Sequence, residues 1–176
     1  MSSLTWDPQM NNPPATFPNG QVIFNPTYAS FYSVTDLSGT SDFQLVLDAV
    51  DATSPIGPTL DAFGRVVITD TGVYSVTLDV QLDQITASPP TSDPVYTYLT
   101  VNGQAVPYSA SVLVVQGLNG YTHSFQQSYI TCNAGDRISG YCNPTTNGTN
   151  IVVRTIPAAG NTPDTPSVQL NIIRIA

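Results

Sequence analysis

The sequence predicts an all-β protein, and three observations support that class. From Tyr74 to Asp83, apolar residues alternate with polar ones, as in a strand with one face in a core and the other in water. Turn-forming residues recur at intervals of about 8–12 residues, which is typical of sandwiches and barrels. The chain has no Glu and no Lys, residues that favour helices and are depleted in strands. A lineage-wide amino-acid bias would explain that absence equally well.

The first element is an N-terminal arm, predicted over residues 1–28. It carries five of the 15 prolines, which remove backbone donors and keep the chain extended. Apart from Gln21–Phe24, no stretch of it has the period of a strand or a helix. A disordered tail is one interpretation. The other is an arm that becomes ordered on a neighbouring surface, held by four large apolar side chains. Those candidate anchors are Trp6, Met10, Phe17 and Phe24.

A single β domain is predicted over residues 29–176, with about ten strands and no helix. Its centre is the apolar run Val66–Thr69, a short turn ending at Gly72, and the alternating strand that follows. We expect Gly72 to have a positive φ or to lie in a close backbone approach. Asn102-Gly103 is the strongest hairpin signal, because a type I′ turn needs φ > 0 twice. The other predicted strands are Ser30–Thr35, Phe43–Leu47, Tyr96–Val101, Ser111–Val115, Ser124–Cys132, Arg137–Cys142, Ile151–Ile156 and Val168–Ile175.

The last of these strands is apolar on both faces. One parity holds three apolar residues between positions 168 and 172, and the other holds Ile173 and Ile175. A strand with two apolar faces is expected to be buried on both. The second face therefore needs a cover, and a neighbouring subunit is the simplest one. Ile173 and Ile175 are the candidate contacts of that subunit interface.

Three motifs, in this order, are similar to those of the C1q/tumour-necrosis-factor-like jelly roll. They are the apolar strand and turn before Gly72-Val73-Tyr74, the strand and turn Leu99–Gly103, and the turn Ala134–Ile138. The chain resembles this superfamily over roughly residues 29–176. The resemblance implies a jelly-roll β-sandwich whose last strand is central in the inner sheet. It also implies a homotrimer in which that sheet packs against two other subunits.

Catalysis and metal binding have few candidate residues. His123 is the only histidine, and no Gly-x-Ser-x-Gly or comparable motif surrounds a nucleophile. We therefore predict that the protein is not an enzyme and has no cofactor. Calcium is the better metal candidate, because carboxylates are its ligands. The acids that would have to converge are Asp48 with Asp51, and Asp79 with Asp83 and Asp93. Without an Asp-x-Asp-x-Asp ladder, we interpret them as solvated turn residues and predict no metal.

The charge balance and the two cysteines indicate the environment. The net charge of −8 argues against nucleic acid and anionic membranes as partners, since binding them requires clustered Lys and Arg. No signal peptide and no membrane span of about 20 apolar residues is visible, so synthesis in a cytoplasm is expected. Cys132 and Cys142 are predicted to be free thiols, because they would be several pairs out of register in a direct hairpin, and in a jelly roll their strands belong to different sheets. With one histidine, they fit no zinc motif.

The nine tyrosines allow two interpretations. In loops with Asn and Asp, tyrosine can bind a sugar by ring stacking and hydrogen bonding. More simply, tyrosine covers the half-exposed rim of a sheet, and we favour this second interpretation, so that a glycan partner stays an alternative. The residues concerned are Tyr96, Tyr98, Tyr108, Tyr121 and Tyr141.

These observations favour a non-enzymatic, structural function. We predict a homotrimeric decoration or cement protein of a viral or phage capsid, made in the host cytoplasm and located on the virion surface. Its partners would be itself and the major capsid protein, which the arm would contact. The alternative is a trimeric receptor- or glycan-binding head, at the tip of a virion spike or as the cap of a bacterial surface protein. No Gly-x-y tract precedes the domain, which weakens a collagen-like version of the cap.

Overall fold

The computed structural model describes residues 27–39, 41–85, 94–115, 120–144, 151–160 and 163–176. Within these ranges all regular secondary structure is β-strand, and thirteen strands form two sheets. All strand pairs within both sheets are antiparallel. The predicted all-β class is confirmed. No helix in this part of the chain is long and apolar enough to cross a bilayer.

The first sheet has six strands, and the last strand of the chain is central in it. Five of them follow the order β10-β6-β13-β1-β3, and the sixth, β12, pairs with the end of β6. The bounds are β1 (Tyr28–Ser33), β3 (Ala49–Thr53), β6 (Gly72–Gln84), β10 (Thr122–Cys132), β12 (Ile151–Val153) and β13 (Val168–Arg174).

The second sheet has seven strands and covers the other side of the core. Five follow the order β4-β5-β11-β7-β8, while β2 pairs with β11 and β9 pairs with β7. The bounds are β2 (Phe43–Leu45), β4 (Thr59–Leu60), β5 (Val66–Val67), β7 (Pro94–Val101), β8 (Gln104–Ala105), β9 (Ser111–Val114) and β11 (Arg137–Pro144).

The hydrophobic core lies between the two sheets, and β6 supplies its centre. As the alternation predicts, one parity of β6 is fully buried: Tyr74, Val76, Leu78, Val80 and Leu82. The opposite sheet approaches β6 closely at Gly140 of β11. A Cβ atom added to Gly140 would lie 3.0 and 3.1 Å from the two methyl carbons of Leu78. The absence of a side chain at Gly140 therefore leaves room for Leu78.

The central unit of the sequence is built differently from a hairpin. β5 pairs with β4 and β11, whereas β6 belongs to the other sheet. The residues between β5 and β6 therefore connect the two sheets. The local sequence does not distinguish such a connection from a hairpin turn. Gly72 is not among the positive-φ residues. It lies instead in the predicted close approach, because an added Cβ would contact the carbonyl oxygen of Ala176 and the Nε of Arg174.

The structure has three strands beyond the predicted ten, namely β3, β4 and β8. Two of them contain two residues, too few for an alternating pattern. In β3, four of the five residues are exposed, so the strand has no apolar face to detect. The first strand also begins at Tyr28 rather than Ser30, and the one expected to reach Ile156 ends at Val153. Strand ends are set by the partner strand as well as by local sequence.

The other two motifs of the jelly-roll resemblance meet in space. Asn102 and Gly103 have φ angles of 52° and 79°, as the predicted turn between β7 and β8 requires. The Asn102 side chain donates from Nδ2 to Asp136 Oδ1 at 2.8 Å, and its Oδ1 accepts the Arg137 amide at 2.9 Å. The turn after β7 and the turn before β11 therefore support each other.

Candidate functional site

Five large apolar side chains are exposed on the outer face of the six-stranded sheet, on the side away from the core. Phe125 and Tyr129 of β10 are 63% and 68% exposed, and three others are close to half exposed. Soluble single chains seldom keep so many large apolar groups on one face. These five residues, here called the association face, are Tyr28, Phe125, Tyr129, Ile173 and Ile175.

The register of four strands explains why these side chains share one face. Tyr129 is paired with Ser75, Ser75 with Ile173, and Ile173 with Tyr28. Residues paired in antiparallel strands project to the same side of the sheet. Because Tyr74 is directed into the core, Ser75 and the three residues aligned with it are directed outward. The alternation of β6 thus decides the exposure of its neighbours.

The centre of this outer face is polar, and it carries neutral side chains together with the Asp79–His123 pair. Gln127 Nε2 donates to Ser75 Oγ at 2.9 Å, and Gln169 Nε2 donates to Ser30 Oγ at 3.4 Å. These groups satisfy one another, so covering them would not leave their hydrogen bonds unmade. The outer face therefore combines apolar anchors with neutral polar groups, which are cheaper to desolvate than the neighbouring Asp79 carboxylate.

The sequence predicted only two members of the association face. Ile173 and Ile175 are 47% and 46% exposed, so the second face of the last strand is open in the single chain. Phe125, Tyr129 and Tyr28 were missed. In β10 the core-facing parity begins with Ser and Gln, and the outward parity carries the aromatic residues. That reversal of the usual pattern is the signal that could have identified two of the three.

A second aromatic cluster lies on the outer face of the seven-stranded sheet. The rings of Tyr98 and Tyr141, which are paired across β7 and β11, stack with centroids 5.6 Å apart. Tyr96, two residues before Tyr98 on the same side of β7, is paired with the exposed Val112. Burial raises the pKa of Tyr98 to about 12, and the nearby Asp42 carboxylate adds to that shift. We call Tyr96, Tyr98 and Tyr141 the tyrosine surface.

The acids considered for calcium do not form one site. Asp48 accepts hydrogen bonds from two hydroxyl groups, and Asp51 is exposed on β3. Asp83 is fully buried, with Oδ2 2.7 Å from Arg154 Nη1, and this hydrogen bond raises the pKa of Arg154. Asp93 lies outside the described residues. Among those that are described, no three His, Cys, Asp or Glu side chains form a group that could hold a metal ion.

The remaining chemically reactive groups are dispersed. His123 Nδ1 lies 3.3 Å from Asp79 Oδ1, on the outer face of the six-stranded sheet. Cys132 and Cys142 are buried and unbonded, and they lie in different sheets as expected. Burial raises the pKa of Cys132 to about 11 and that of Cys142 to about 12. Both thiols therefore stay protonated near neutral pH, where they are poor nucleophiles.

The arm and its four candidate anchors, Trp6, Met10, Phe17 and Phe24, lie outside the described residues, so their role stays a prediction. The described chain begins at Thr27, whose carbonyl oxygen accepts the Arg174 amide at 2.8 Å. Thr27 therefore lies beside the end of β13.

The two antiparallel sheets, with the last strand central in one of them, form a jelly roll of the C1q/tumour-necrosis-factor-like type, as the resemblance implied. Solved structures of tumour-necrosis-factor-family proteins share this fold. Mouse APRIL at pH 8.5 is 12% identical with a TM-score of 0.57, and the match covers 86% of this chain and 100% of APRIL. Eiger TNF from S. frugiperda is 14% identical with a TM-score of 0.51, covering 86% and 94%. At these identities the likeness establishes the fold.

Sequence comparison adds nothing to that assignment, since no protein-family model and no curated protein matches the chain.

Proposed function

We propose that this chain is a non-enzymatic structural protein that assembles as a homotrimer through the association face. One observation carries the proposal: five large apolar side chains are exposed on one face of a sheet whose last strand is central. Covering these side chains removes apolar surface from water, which is the main favourable term in most protein association. The C1q/tumour-necrosis-factor-like fold supports the three-fold arrangement, because the family resemblance implies trimers built on this sheet.

Substitution within the association face tests the trimer. Ile173→Asp or Ile175→Asp would place a carboxylate in a dry interface, where an unpaired charge costs several kcal/mol. We expect light scattering at micromolar concentration to show a trimer for the wild type and a monomer for both variants. Ile56→Asp is the matched control, since Ile56 is 62% exposed and lies outside the association face. A wild-type protein that elutes as a monomer would refute the proposal.

For the assembled trimer we propose the role of a decoration or cement protein on a viral or phage capsid. Scarce charge, a surface of neutral polar groups and the proline-rich arm support this role. Under the proposal, Trp6, Met10, Phe17 and Phe24 anchor the arm to the major capsid protein, and the trimer lies on the virion surface. An extended segment of about 25 residues reaches up to about 80 Å, enough to cross neighbouring capsid subunits. Ordering the arm costs entropy, so its apolar anchors must supply the surplus.

Deletion of residues 1–24 tests the arm separately from the trimer. The described domain begins at Thr27, so we expect the truncated chain to remain a folded trimer in light scattering. It should no longer cosediment with capsids that lack the decoration protein. Full occupancy of the particles by the truncated trimer would show that the contact is made by the jelly roll instead.

The tyrosine surface favours a second candidate function, a receptor- or glycan-binding head. Tyr96, Tyr98 and Tyr141 form an aromatic surface on the sheet opposite to the association face. Tyr96 is exposed, whereas Tyr98 and Tyr141 are half-buried, and an exposed ring can stack on the apolar face of a sugar. A glycan array on the trimer, repeated with Tyr96→Ala, separates the two functions. Glycan binding that depends on Tyr96, without capsid binding, would favour the head.

A further inference from the structure

The tyrosine surface continues into an apolar strip on the neighbouring edge strand. Tyr96 is paired with Val112 of β9, and Val114, two residues further along β9, projects to the same side. Val112 and Val114 are 56% and 42% exposed, and Tyr96 is 37% exposed. These three side chains point away from the core, so packing within the fold does not require them to be apolar.

Polar groups border this strip on its other side. Asn143 is the partner of Tyr96 on β11, and its side chain forms no hydrogen bond with any residue that the structure describes. The exposed Asp42 follows Asn143 along the same row, because the next residue, Phe43, is paired with Cys142. The row across the sheet therefore holds a carboxylate, an amide, an aromatic ring and a valine, in that order.

The order of these groups matches the chemistry of a sugar ring. A pyranose has a face of C–H groups that can stack on an aromatic ring, and a rim of hydroxyl groups that donate and accept hydrogen bonds. Asn143 can do both, and the Asp42 carboxylate accepts. Adjacent strands are about 4.8 Å apart, so the hydroxyl rim of a sugar stacked on Tyr96 would lie at the Asn143 amide.

The Asp42 carboxylate is held at one end of the row. The Tyr98 hydroxyl donates a hydrogen bond to it, and the stacked Tyr141 ring packs against Tyr98. The two half-buried members of the tyrosine surface thus position an acceptor for the exposed member, Tyr96. A group fixed in this way loses less entropy when a ligand binds.

The charges near the row favour a neutral ligand. Asp42 would repel a carboxylate or sulfate on a sugar, and so would the chain's net charge of −8. Gln44, the β2 partner of Tyr141, donates to the carbonyl oxygen of Phe63, whose ring lies under the Arg65 guanidinium. That arginine is 2.8 Å from the Asp61 carboxylate, which offsets its positive charge.

We propose that this row binds neutral saccharides. Tyr96 supplies the stacking ring, Asn143 and Asp42 form hydrogen bonds with hydroxyl groups, and Val112 contacts the apolar side of the sugar. The inference rests on the second candidate function, the glycan-binding head, and specifies its ligand: an uncharged hexopyranose oligosaccharide, with anionic sugars excluded. The row lies on the sheet opposite to the association face, so a trimer would carry three such sites.

Calorimetric titration of the full chain tests the ligand class. The neutral probes are maltohexaose, cellohexaose and chitohexaose, and the anionic probe is hexagalacturonate, which has a carboxylate on every ring. We expect the best neutral probe to bind at least tenfold more tightly than hexagalacturonate.

Variants of the row test the residues. Tyr96→Ala should weaken binding of the best neutral probe at least tenfold and Asn143→Ala at least threefold, whereas Tyr96→Phe keeps the ring and should stay within threefold of the wild type. Tyr121→Ala is the matched control, because Tyr121 is 43% exposed and lies just before β10 of the other sheet. It should bind as the wild type does.

Asp42→Asn tests the exclusion of anionic sugars. The new amide oxygen can still accept the hydrogen bond from Tyr98, so affinity for the neutral probe should stay within threefold of the wild type. Removal of the charge should reduce the preference for neutral over anionic sugar at least threefold. An unchanged preference would refute the role of Asp42.

The results that overturn the inference can be told apart from a failure of the head function. Tighter binding of hexagalacturonate than of the neutral probes, lost in Tyr96→Ala, would refute the neutral ligand and keep a glycan-binding head. Neutral binding that is unchanged in Tyr96→Ala would refute the site. Absence of binding to all four probes at millimolar concentration would refute the inference and count against the head, while light scattering would still report the trimer.

Discussion

Substitution of Gly140 by alanine tests how closely the two sheets approach each other. The new Cβ would lie 3.0 and 3.1 Å from the methyl carbons of Leu78 and 3.2 Å from a methyl carbon of Leu45. Few Cβ contacts in proteins are shorter than 3.4 Å. Leu78 and Leu45 are both fully buried, so their side chains cannot relax toward solvent. The neighbouring side chains or the strands must therefore shift.

The expected magnitude is the difference between two opposing effects. Overpacking of a core costs about 1–3 kcal/mol, and replacing a strand glycine by alanine regains about 0.5–1 kcal/mol of chain entropy. Gly140→Ala should therefore lower the free energy of unfolding by about 1 kcal/mol, the difference between the midpoints of these two ranges. Leu78→Ala alone should cost about 2–5 kcal/mol. Combined with it, the Gly140→Ala methyl group would fill part of the cavity left by Leu78, so the double variant should cost at least about 1 kcal/mol less than the sum.

Urea unfolding followed by circular dichroism, at one fixed protein concentration, measures all four chains of this double-mutant cycle. A fixed concentration matters because association adds to apparent stability. The reasoning fails if Gly140→Ala is as stable as the wild type. It also fails if the two single effects add within about 0.5 kcal/mol, since residues out of contact behave in that way.

Three further predictions concern the chain end, the thiols and the alkaline range. Gly72→Val should displace the Ala176 carbonyl oxygen from the Val73 amide, which it accepts at 2.7 Å, and cost more than about 1 kcal/mol; an unchanged melting temperature would contradict this. Iodoacetamide should label Cys132 and Cys142 only after unfolding, and a disulfide-linked peptide pair in mass spectrometry would refute their assignment as free thiols. The pKa of Tyr98 is raised to about 12 in the folded chain, so its phenolate forms more readily in the unfolded chain, and stability should fall from about pH 10 upward. Denaturation at pH 9 and 11 should show a smaller fall for Tyr98→Phe than for the wild type.

The sequence predicted the strands correctly where one side of the strand faces solvent and the other faces the core. β6 shows this most clearly, because ten consecutive residues alternate and all five apolar ones are buried. Gln81 and Asp83, on the parity predicted to face water, are buried as well, because other parts of the chain cover that end of the strand. The crossover after β5 could not be predicted, since Asp, Thr and Gly allow a sharp turn whether the next strand joins the same sheet or the other one. Strands β4 and β8, with two residues each, depend on the neighbouring strand for their existence.

The candidate site was predicted only in part, for a different physical reason. Ile173 and Ile175 were recognisable because a run of apolar residues on both parities is unusual in an outer strand. Phe125 and Tyr129 were missed because tyrosine and phenylalanine are ordinary strand residues, and only the polar residues on the opposite parity of β10 indicate that their side faces outward.

The turn at Asn102 also contains a site of spontaneous deamidation, Asn102-Gly103. An asparagine followed by glycine deamidates when the glycine amide nitrogen attacks the side-chain carbonyl carbon and ammonia leaves, and water then opens the cyclic succinimide to isoaspartate or aspartate. The attack requires the carboxamide to turn toward that nitrogen. Here Asp136 and Arg137 hold that carboxamide at both of its polar atoms. Deamidation of Asn102 is therefore slow while the two turns are joined by these hydrogen bonds, and fast when they separate. The deamidation rate of Asn102, measured without any denaturant, would therefore report how often this end of the domain opens.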